Sequence, residues 1–287
     1  MKRKDFLKKV AVAPFIGSSL RSLSNIALNT PDTKRMPVLF VGHGNPMNAV
    51  IENEITRGWR QMAEGLQPTA ILCISAHWET QGTYVNITSS PETIHDFGGF
   101  PKELFDVQYP VVGSPEMANQ LIQSVKYTSV MEDHERGLDH GAWSVLIKMF
   151  PEANVPVFQM SLNTQMSPRE HYQLARELSF LRRKGVLIVG SGNVVHNLRM
   201  AKWTSNEPYE WAKEFDEEVK ELILGGRHDL LLKSRSMGHH AELSVPTVEH
   251  YLPMLYALAL QEEDESTSFF NETIDMGSMS MRSFVIS

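Results

Sequence analysis

The sequence predicts a single α/β domain whose central, largely parallel or mixed sheet lies between helix layers, and three observations predict it. Short β-rich runs alternate with helical stretches along the chain, with no internal repeat. The runs VLFVG, ILCIS and VLIVG are continuously apolar, as suits central strands covered on both faces. No linker long enough to divide the 287 residues into two domains interrupts the alternation.

The chain starts with a basic head, residues 1–34, that stands apart from this pattern. Its residues 1–30 carry Lys2, Arg3, Lys4, Lys8, Lys9 and Arg21 against Asp5, so the remaining body is more acidic than the net charge of −7 suggests. The start MKRKDFLKKVAVAPFIGSSL resembles a twin-arginine export signal over residues 1–30, with Arg3-Lys4 where such a signal carries two arginines. The other reading is a basic cytoplasmic tail; the chain is exported in the first case and cytoplasmic in the second. Either way the domain is expected to span residues 35–287.

Within it, strands are expected at 37–41, 70–75, 84–88, 155–161, 186–190 and 282–286, and helices at 51–65, 115–125, 141–150, 168–184, 208–224 and 247–260. Ser114-Pro115 and Ser167-Pro168 place proline at the first position of two of these helices, where its missing N–H is not needed. Pro253 fits the first turn of the last helix and leaves Glu249 and His250 at its entrance.

Composition removes whole classes of function. Apolar residues at 42% and charged residues at 21% are those of a globular chain, which argues against disorder, collagen and coiled coil. No stretch approaches the roughly 18 apolar residues of a spanning helix, so no membrane role is expected. The acidic body repels phosphate backbones, so nucleic acid is not expected as a partner. Cys73 is the single cysteine, which excludes an intrachain disulfide framework and a cysteine zinc site. A metal, if bound, must use His, Asp or Glu.

Such residues appear where the apolar runs stop. VLFV ends in Gly42-His43-Gly44-Asn45-Pro46, ILCIS ends in Ala76-His77-Trp78, and VLIVG leads to Ser191-Gly192-Asn193-Val194-Val195-His196-Asn197. In open α/β sheets ligands collect beyond the carboxyl ends of the strands, so His43, His77 and His196 can converge on one point, with His250 as a fourth candidate. A lone strand-end histidine is commonly just hydrogen-bonded and partly buried, and Gly-His-Gly also makes a plain tight turn. Three histidines after three strands favour a shared metal, above all at His43 and His77. Asp139-His140-Gly141 reads equally as a carboxylate orienting a histidine and as a helix N-cap at Asp139. Ile94-His95-Asp96-Phe97-Gly98-Gly99-Phe100-Pro101 is either a loop or a mobile lid over an aromatic substrate.

Seven ordered blocks carry a resemblance: GHGNPMNAV, SAHWET, TIHDFGGFP, LDHGAWSVL, SGNVVHNLR, PTVEHYLPMLYAL and DMGSMSMRS. Over residues 36–287 they resemble the class III extradiol ring-cleavage dioxygenases, in the 4,5-DOPA dioxygenase branch. The resemblance implies a three-layer α/β/α domain, one mononuclear divalent metal, and O2-dependent cleavage of a catechol such as DOPA next to its hydroxyl pair, giving a ring-opened semialdehyde. Carried over residue by residue, it puts the two early metal ligands at His43 and His77 and the late one at Glu249-His250, of which His250 is chosen. His196 falls on the acid/base histidine, or on a fourth metal position when zinc is bound, and His140 on the catalytic histidine beside the substrate. Iron extradiol enzymes at large use two histidines and a carboxylate. An all-histidine set leans toward zinc as the bound metal, although only Fe(II) supplies the redox step.

An imidazole with its ordinary pKa near 6.5 suits the removal and return of a catechol proton. Arg199 and Lys202 follow His196 and could reach a carboxylate on the catechol side chain; solvated surface charges are the other reading. Two further functions use the same histidines differently: a zinc-dependent hydrolase, which needs no O2, and a non-catalytic binding protein on the same fold. Oxygen uptake with a catechol separates the dioxygenase from both. The sequence leaves the oligomeric state open.

Overall fold

The computed structural model describes residues 33–287, so nearly all of the proposed tail or export signal lies outside the described residues. Backbone hydrogen bonds join six strands into one mixed sheet. They are β1 (Val38–Gly42), β2 (Ala70–Ser75), β3 (Val157–Gln159), β4 (Val186–Gly192), β5 (Thr267–Phe270) and β6 (Ser283–Ile286). Their spatial order is β3-β2-β4-β1-β6-β5. The first four run parallel, while β6 is antiparallel to β1 and β5 antiparallel to β6.

Side chains alternate across a strand, and here both faces are apolar. Leu39, Val41, Ile71, Cys73, Leu187 and Val189 pack on one side with Trp59, Trp143 and Leu146. Val38, Phe40, Leu72, Ile74, Val186 and Ile188 pack on the other with Phe215, Val219 and Leu255. The first side is covered by α1 (Glu54–Ala63), and after α2 (Pro115–Ser124) comes α3 (His140–Met149), which also packs there. The second is covered by α2, α4 (Pro168–Arg176), α5 (Glu210–Leu224) and α6 (Leu252–Ala259). The expected three-layer α/β/α arrangement is therefore present. Among the described residues no helix is long and apolar enough to cross a membrane.

Helix starts follow local chemistry. Ser167 and Glu170 form a reciprocal capping box at α4, with Pro168 in its first turn, and Asn53 and Thr56 do the same at α1.

Several expected elements are corrected. The helix expected over 168–184 breaks after Arg176 and resumes at Ser179–Arg183, because Glu177 and Leu178 close tighter turns onto Leu174 and Ala175. The helix expected over 247–260 starts only at Leu252, since the Val248 carbonyl binds both Tyr251 and Leu252 N–H groups in a turn. The strand expected at 84–88 is Thr83–Asn86, which pairs with Val130–Asp133 outside the main sheet. Val130–Asp133 and β5 were not expected; the first is half acidic and the second lies at the sheet edge, so neither shows the apolar run of a central strand.

The end of β4 fixes the site. A Cβ on Gly190 would meet the Pro253 carbonyl, and one on Gly192 the His250 carbonyl. Glycine at these positions lets the segment carrying His250 lie directly on the strand.

Candidate functional site

β2, β4 and β1 are adjacent in the middle of the sheet, and their carboxyl ends deliver the expected histidines to one place. His43 follows β1, and its N–H donates to the Gly192 carbonyl at 3.1 Å. His77 lies two residues beyond β2, where the Ala76 N–H donates to Ser191 at 3.0 Å. The His250 carbonyl accepts from Asn193 N–H at 2.8 Å, locking the turn before α6 onto the end of β4. His196 enters from the loop after β4, its N–H bonded to the Ser244 carbonyl at 2.9 Å.

The imidazoles crowd together. The His43 and His77 ring centroids are 5.0 Å apart, and the His250 ring is 5.3 Å from the first and 5.0 Å from the second. His196 stacks on His250 at 3.5 Å, with 6° between the planes. His140 lies 3.9 Å from His77 by the same measure. Two triads bring ligand atoms within 4.8 Å of one another: His43, His77 and His140, and His196, Glu249 and His250.

Hydrogen bonds decide which nitrogens are free. The Ser191 hydroxyl gives its one proton to the Gly141 carbonyl, so at 3.0 Å it accepts from His43 Nδ1 and leaves His43 Nε2 bare. His250 Nδ1 donates to Glu249 Oε1 at 3.1 Å, and Glu249 is itself held by the Thr247 hydroxyl at 2.7 Å. His250 Nε2 is then a buried lone pair with no hydrogen-bond partner. His43 Nε2 and His77 Nε2 face each other at 3.1 Å. Two bare nitrogens repel at that distance unless a proton or a cation lies between them. Two ligands each about 2.0–2.1 Å from one divalent ion subtend a similar spacing. The donor set therefore fits a divalent metal.

Electrostatics agrees with this chemistry. Burial, reinforced by neighbouring imidazoles, holds His43 and His250 well below the ordinary histidine value. Burial also brings His77 down to about 4, with His140 adding to the effect, and His196 down to about 4. These imidazoles are neutral near pH 7, the form that offers a lone pair.

His140 is held from a separate loop. Asp96 Oδ1 accepts from both the N–H and the Nδ1 of His140, each at 2.9 Å, while Oδ2 lies 3.9 Å from His77 Nδ1. Burial opposes ionisation of Asp96, but the bonds from His140 prevail and hold its pKa near 2. Asp139 resolves as the N-cap of α3, accepting from Ala142 N–H at 3.1 Å, and does not orient His140. It also accepts from the Ser75 hydroxyl at 2.6 Å, the Gln159 amide at 2.9 Å and Arg136 at 3.3 Å. Ser75 and Arg136 in turn hold the His77 N–H and carbonyl, at 3.2 and 3.1 Å.

The 94–101 segment is a loop beside the site. The Phe97 ring meets His140 edge-on at 5.5 Å, and Phe100 packs on Phe97. Asp96, Ser191 and Arg136 were not singled out from sequence. Only Asp96 had a signal, as the one carboxylate in the aromatic loop.

Arg199 and Lys202 differ from each other. Lys202 Nζ donates to the Glu207 carbonyl at 2.8 Å and lies 4.2 Å above the Tyr209 ring. Arg199 is exposed on the short helix Leu198–Met200.

Comparison with known proteins gives consistent findings. The family described as the catalytic LigB subunit of aromatic ring-opening dioxygenase matches residues 37–281. A protein of Escherichia coli (strain K12) named 4,5-DOPA dioxygenase extradiol is 45% identical over 260 residues, covering 88% of this chain and 95% of its own. A Beta vulgaris protein of the same name is 35% identical over 252 residues, covering 85% and 94%. A crystal structure of an uncharacterized Escherichia coli K12 protein is similar at a TM-score of 0.77 and 40% identity, covering 88% of this chain and 100% of that one.

Proposed function

The chain belongs to the family of the catalytic LigB subunit of aromatic ring-opening dioxygenase and is an extradiol dioxygenase, and from that premise we propose that it is metal-dependent and opens the ring of a catechol such as DOPA, giving a semialdehyde. The observation that carries the metal is the orphaned lone pair of His250 Nε2, on a ring whose centroid lies 5.3 and 5.0 Å from those of His43 and His77, whose own Nε2 atoms face each other. His43, His77 and His250 are the ligands. A divalent iron held there would bring the catechol oxygens and O2 together with a redox-active centre, which zinc cannot provide.

The chain's own residues do the rest. His196, neutral near pH 7 and stacked on His250, takes a proton from a catechol hydroxyl and later returns one to the opening ring. It would offer a fourth ligand to a bound zinc. His140, its Nδ1–H engaged by Asp96, stands beside the substrate with its other nitrogen bare and able to accept a hydrogen bond from a catechol hydroxyl. Phe97 and Phe100 form an apolar wall that suits a flat aromatic ring. The name shared by the relatives from Escherichia coli and Beta vulgaris supports DOPA as the catechol.

Protein loaded anaerobically with Fe(II) is expected to consume O2 with DOPA and develop the absorbance of a ring-opened semialdehyde. The zinc form is expected to do neither. Ester or amide hydrolysis by the zinc form, with no oxygen uptake by the iron form on any catechol, replaces this function with the hydrolase.

A further inference from the structure

Helix α3 starts at the site and needs partners for its first N–H groups. Asp139 supplies one, binding Ala142 N–H from the N-cap position. The His140 N–H is bound instead by a residue 44 positions earlier in the chain, Asp96, whose same oxygen accepts from the His140 ring at Nδ1. A carboxylate at this point also has the favourable sign for the helix terminus.

This arrangement has a chemical consequence. An isolated neutral imidazole exchanges its proton between two nitrogens, and the hydrogen bond made by one nitrogen fixes the state of the other. With its backbone N–H and ring Nδ1 both on Asp96 Oδ1, His140 has a fixed ring plane and a fixed tautomer. The 94–101 loop that carries Asp96 is independently anchored: Trp143 Nε1 donates to the Ile94 carbonyl at 2.8 Å, and Ile94 N–H to the Leu138 carbonyl at 2.8 Å. Asp96 is therefore delivered by a fixed stem, and the open turn Gly98-Gly99 follows it, with nothing within 4 Å of a Cβ at either glycine.

We propose that Asp96 is a positioning residue for the ring-opening reaction: from the 94–101 loop it fixes His140 as the Nδ1–H tautomer, aims the bare Nε2 at the substrate, and seats the Phe97 wall beside it. Nothing in this role requires Asp96 to touch substrate or metal. The inference about turnover rests on the dioxygenase function proposed above, whereas the tautomer is independent of it.

The test uses zinc-loaded full-length protein labelled with ¹⁵N in histidine, whose ring-nitrogen shifts report the His140 tautomer directly, together with steady-state kinetics of the iron form. In the unaltered protein His140 is expected to be protonated at Nδ1. In Asp96→Ala that preference is lost and kcat falls about 10²-fold, the scale expected when a group that orients the substrate is misplaced. KM is expected to stay close to that of the unaltered protein, and zinc measured at excess zinc to stay near one per chain, because Asp96 is not itself a ligand and any loss of metal affinity from a residue beside one, about 10–100-fold, is masked by the excess. Asp96→Asn keeps a carbonyl oxygen able to accept both bonds and is expected to restore the tautomer and most of kcat. Should Asp96→Ala not fold or not hold zinc, Asp96→Glu replaces it, because its longer side chain cannot keep both bonds from the same anchored stem. A folded, zinc-loaded Ala or Glu variant in which His140 stays protonated at Nδ1 overturns the proposal, as does an Asn variant as impaired as the Ala variant. If the tautomer responds as expected but the unaltered iron protein opens no catechol, the positioning of His140 stands and the proposed reaction fails.

Discussion

Two polar clusters are buried at the carboxyl end of β1, and they meet burial in opposite ways. Beside Gly42, whose N–H donates to the Ser283 hydroxyl at 3.0 Å, the Arg282 guanidinium is almost completely enclosed. Its donors are answered in place: Nε and Nη2 bind Asp216 at 2.8 and 2.6 Å, Nη2 also binds Glu217, and Nη1 binds Glu272. The histidine cluster follows directly on the same strand. There His250 Nε2 has no partner, and the Nε2 atoms of His43 and His77 face each other.

The difference is chemical. A guanidinium keeps its charge at any pH a protein meets, so a fold that buries it must bring the carboxylates along. An imidazole can shed its proton instead and be buried neutral with a lone pair facing inward. The first cluster is complete as it stands, and a cation placed there would compete with Arg282. The second leaves the buried lone pair of His250 Nε2 unanswered, and under the proposed function a divalent cation would complete it.

Substitution of the proposed ligands should break the comparison most severely. His43→Ala and His77→Ala are each expected to reduce bound metal from near-stoichiometric to near zero and to abolish turnover. The far-ultraviolet circular dichroism should remain close to that of the unaltered protein, because both histidines sit beyond the strands and not in the apolar core. Full metal occupancy in either variant, measured by elemental analysis, would show that the cluster is as self-contained as that of Arg282. His196→Ala sharpens the point: metal is retained better than in those two variants, while turnover drops by about 10²–10⁴. Equal metal loss in all three makes His196 a ligand in full standing.

The reciprocal substitution is expected to hurt stability and spare the metal. Arg282→Met leaves Asp216 buried without its cation, and removing one member of a buried pair typically costs about 3–5 kcal/mol. Glu217 and Glu272 are more open to solvent and can relax into water, so the lower end is expected. The urea midpoint should fall accordingly, while the folded variant binds as much metal per chain as before. Loss of metal with unchanged stability would mean that the two clusters are coupled.

How much of this was legible in the sequence follows the same division. Continuous apolar runs fixed β1, β2 and β4, and a histidine after each was visible because strand ends are where an α/β sheet collects ligands. His250 was placed by Pro253 and the start of α6. What supports these residues was not legible. Ser191 is an ordinary serine until the Gly141 carbonyl takes its proton, and Asp96 meets His140 only because β-bridge contacts bring Thr93 against Leu138. Asp139 could be read two ways from its neighbour alone, and the fold chose the cap. Val130–Asp133 escaped because a strand paired outside the main sheet needs no apolar face.

The smallest expected effect separates two cations within one segment. Arg199 and Lys202 were equivalent by position after His196, as candidates for a carboxylate on the substrate side chain. Lys202 is now accounted for: the Glu207 carbonyl and the Tyr209 ring hold its ammonium, and its stem packs over Gly277. Turning it toward a ligand would break those contacts. Arg199 is exposed and has no such commitment to lose. An ion pair formed in solvent is worth about 0.2–1 kcal/mol, which corresponds to a change of about 1.4- to 5-fold in affinity. Arg199→Ala is therefore expected to raise KM for a carboxylated catechol by no more than about fivefold and to leave KM for plain catechol unchanged. Lys202→Ala should leave both constants alone and lower thermal stability slightly. If Arg199→Ala shifts the two substrates equally, Arg199 is a solvated surface charge; if Lys202→Ala alone discriminates between them, the ammonium leaves Tyr209 when substrate arrives.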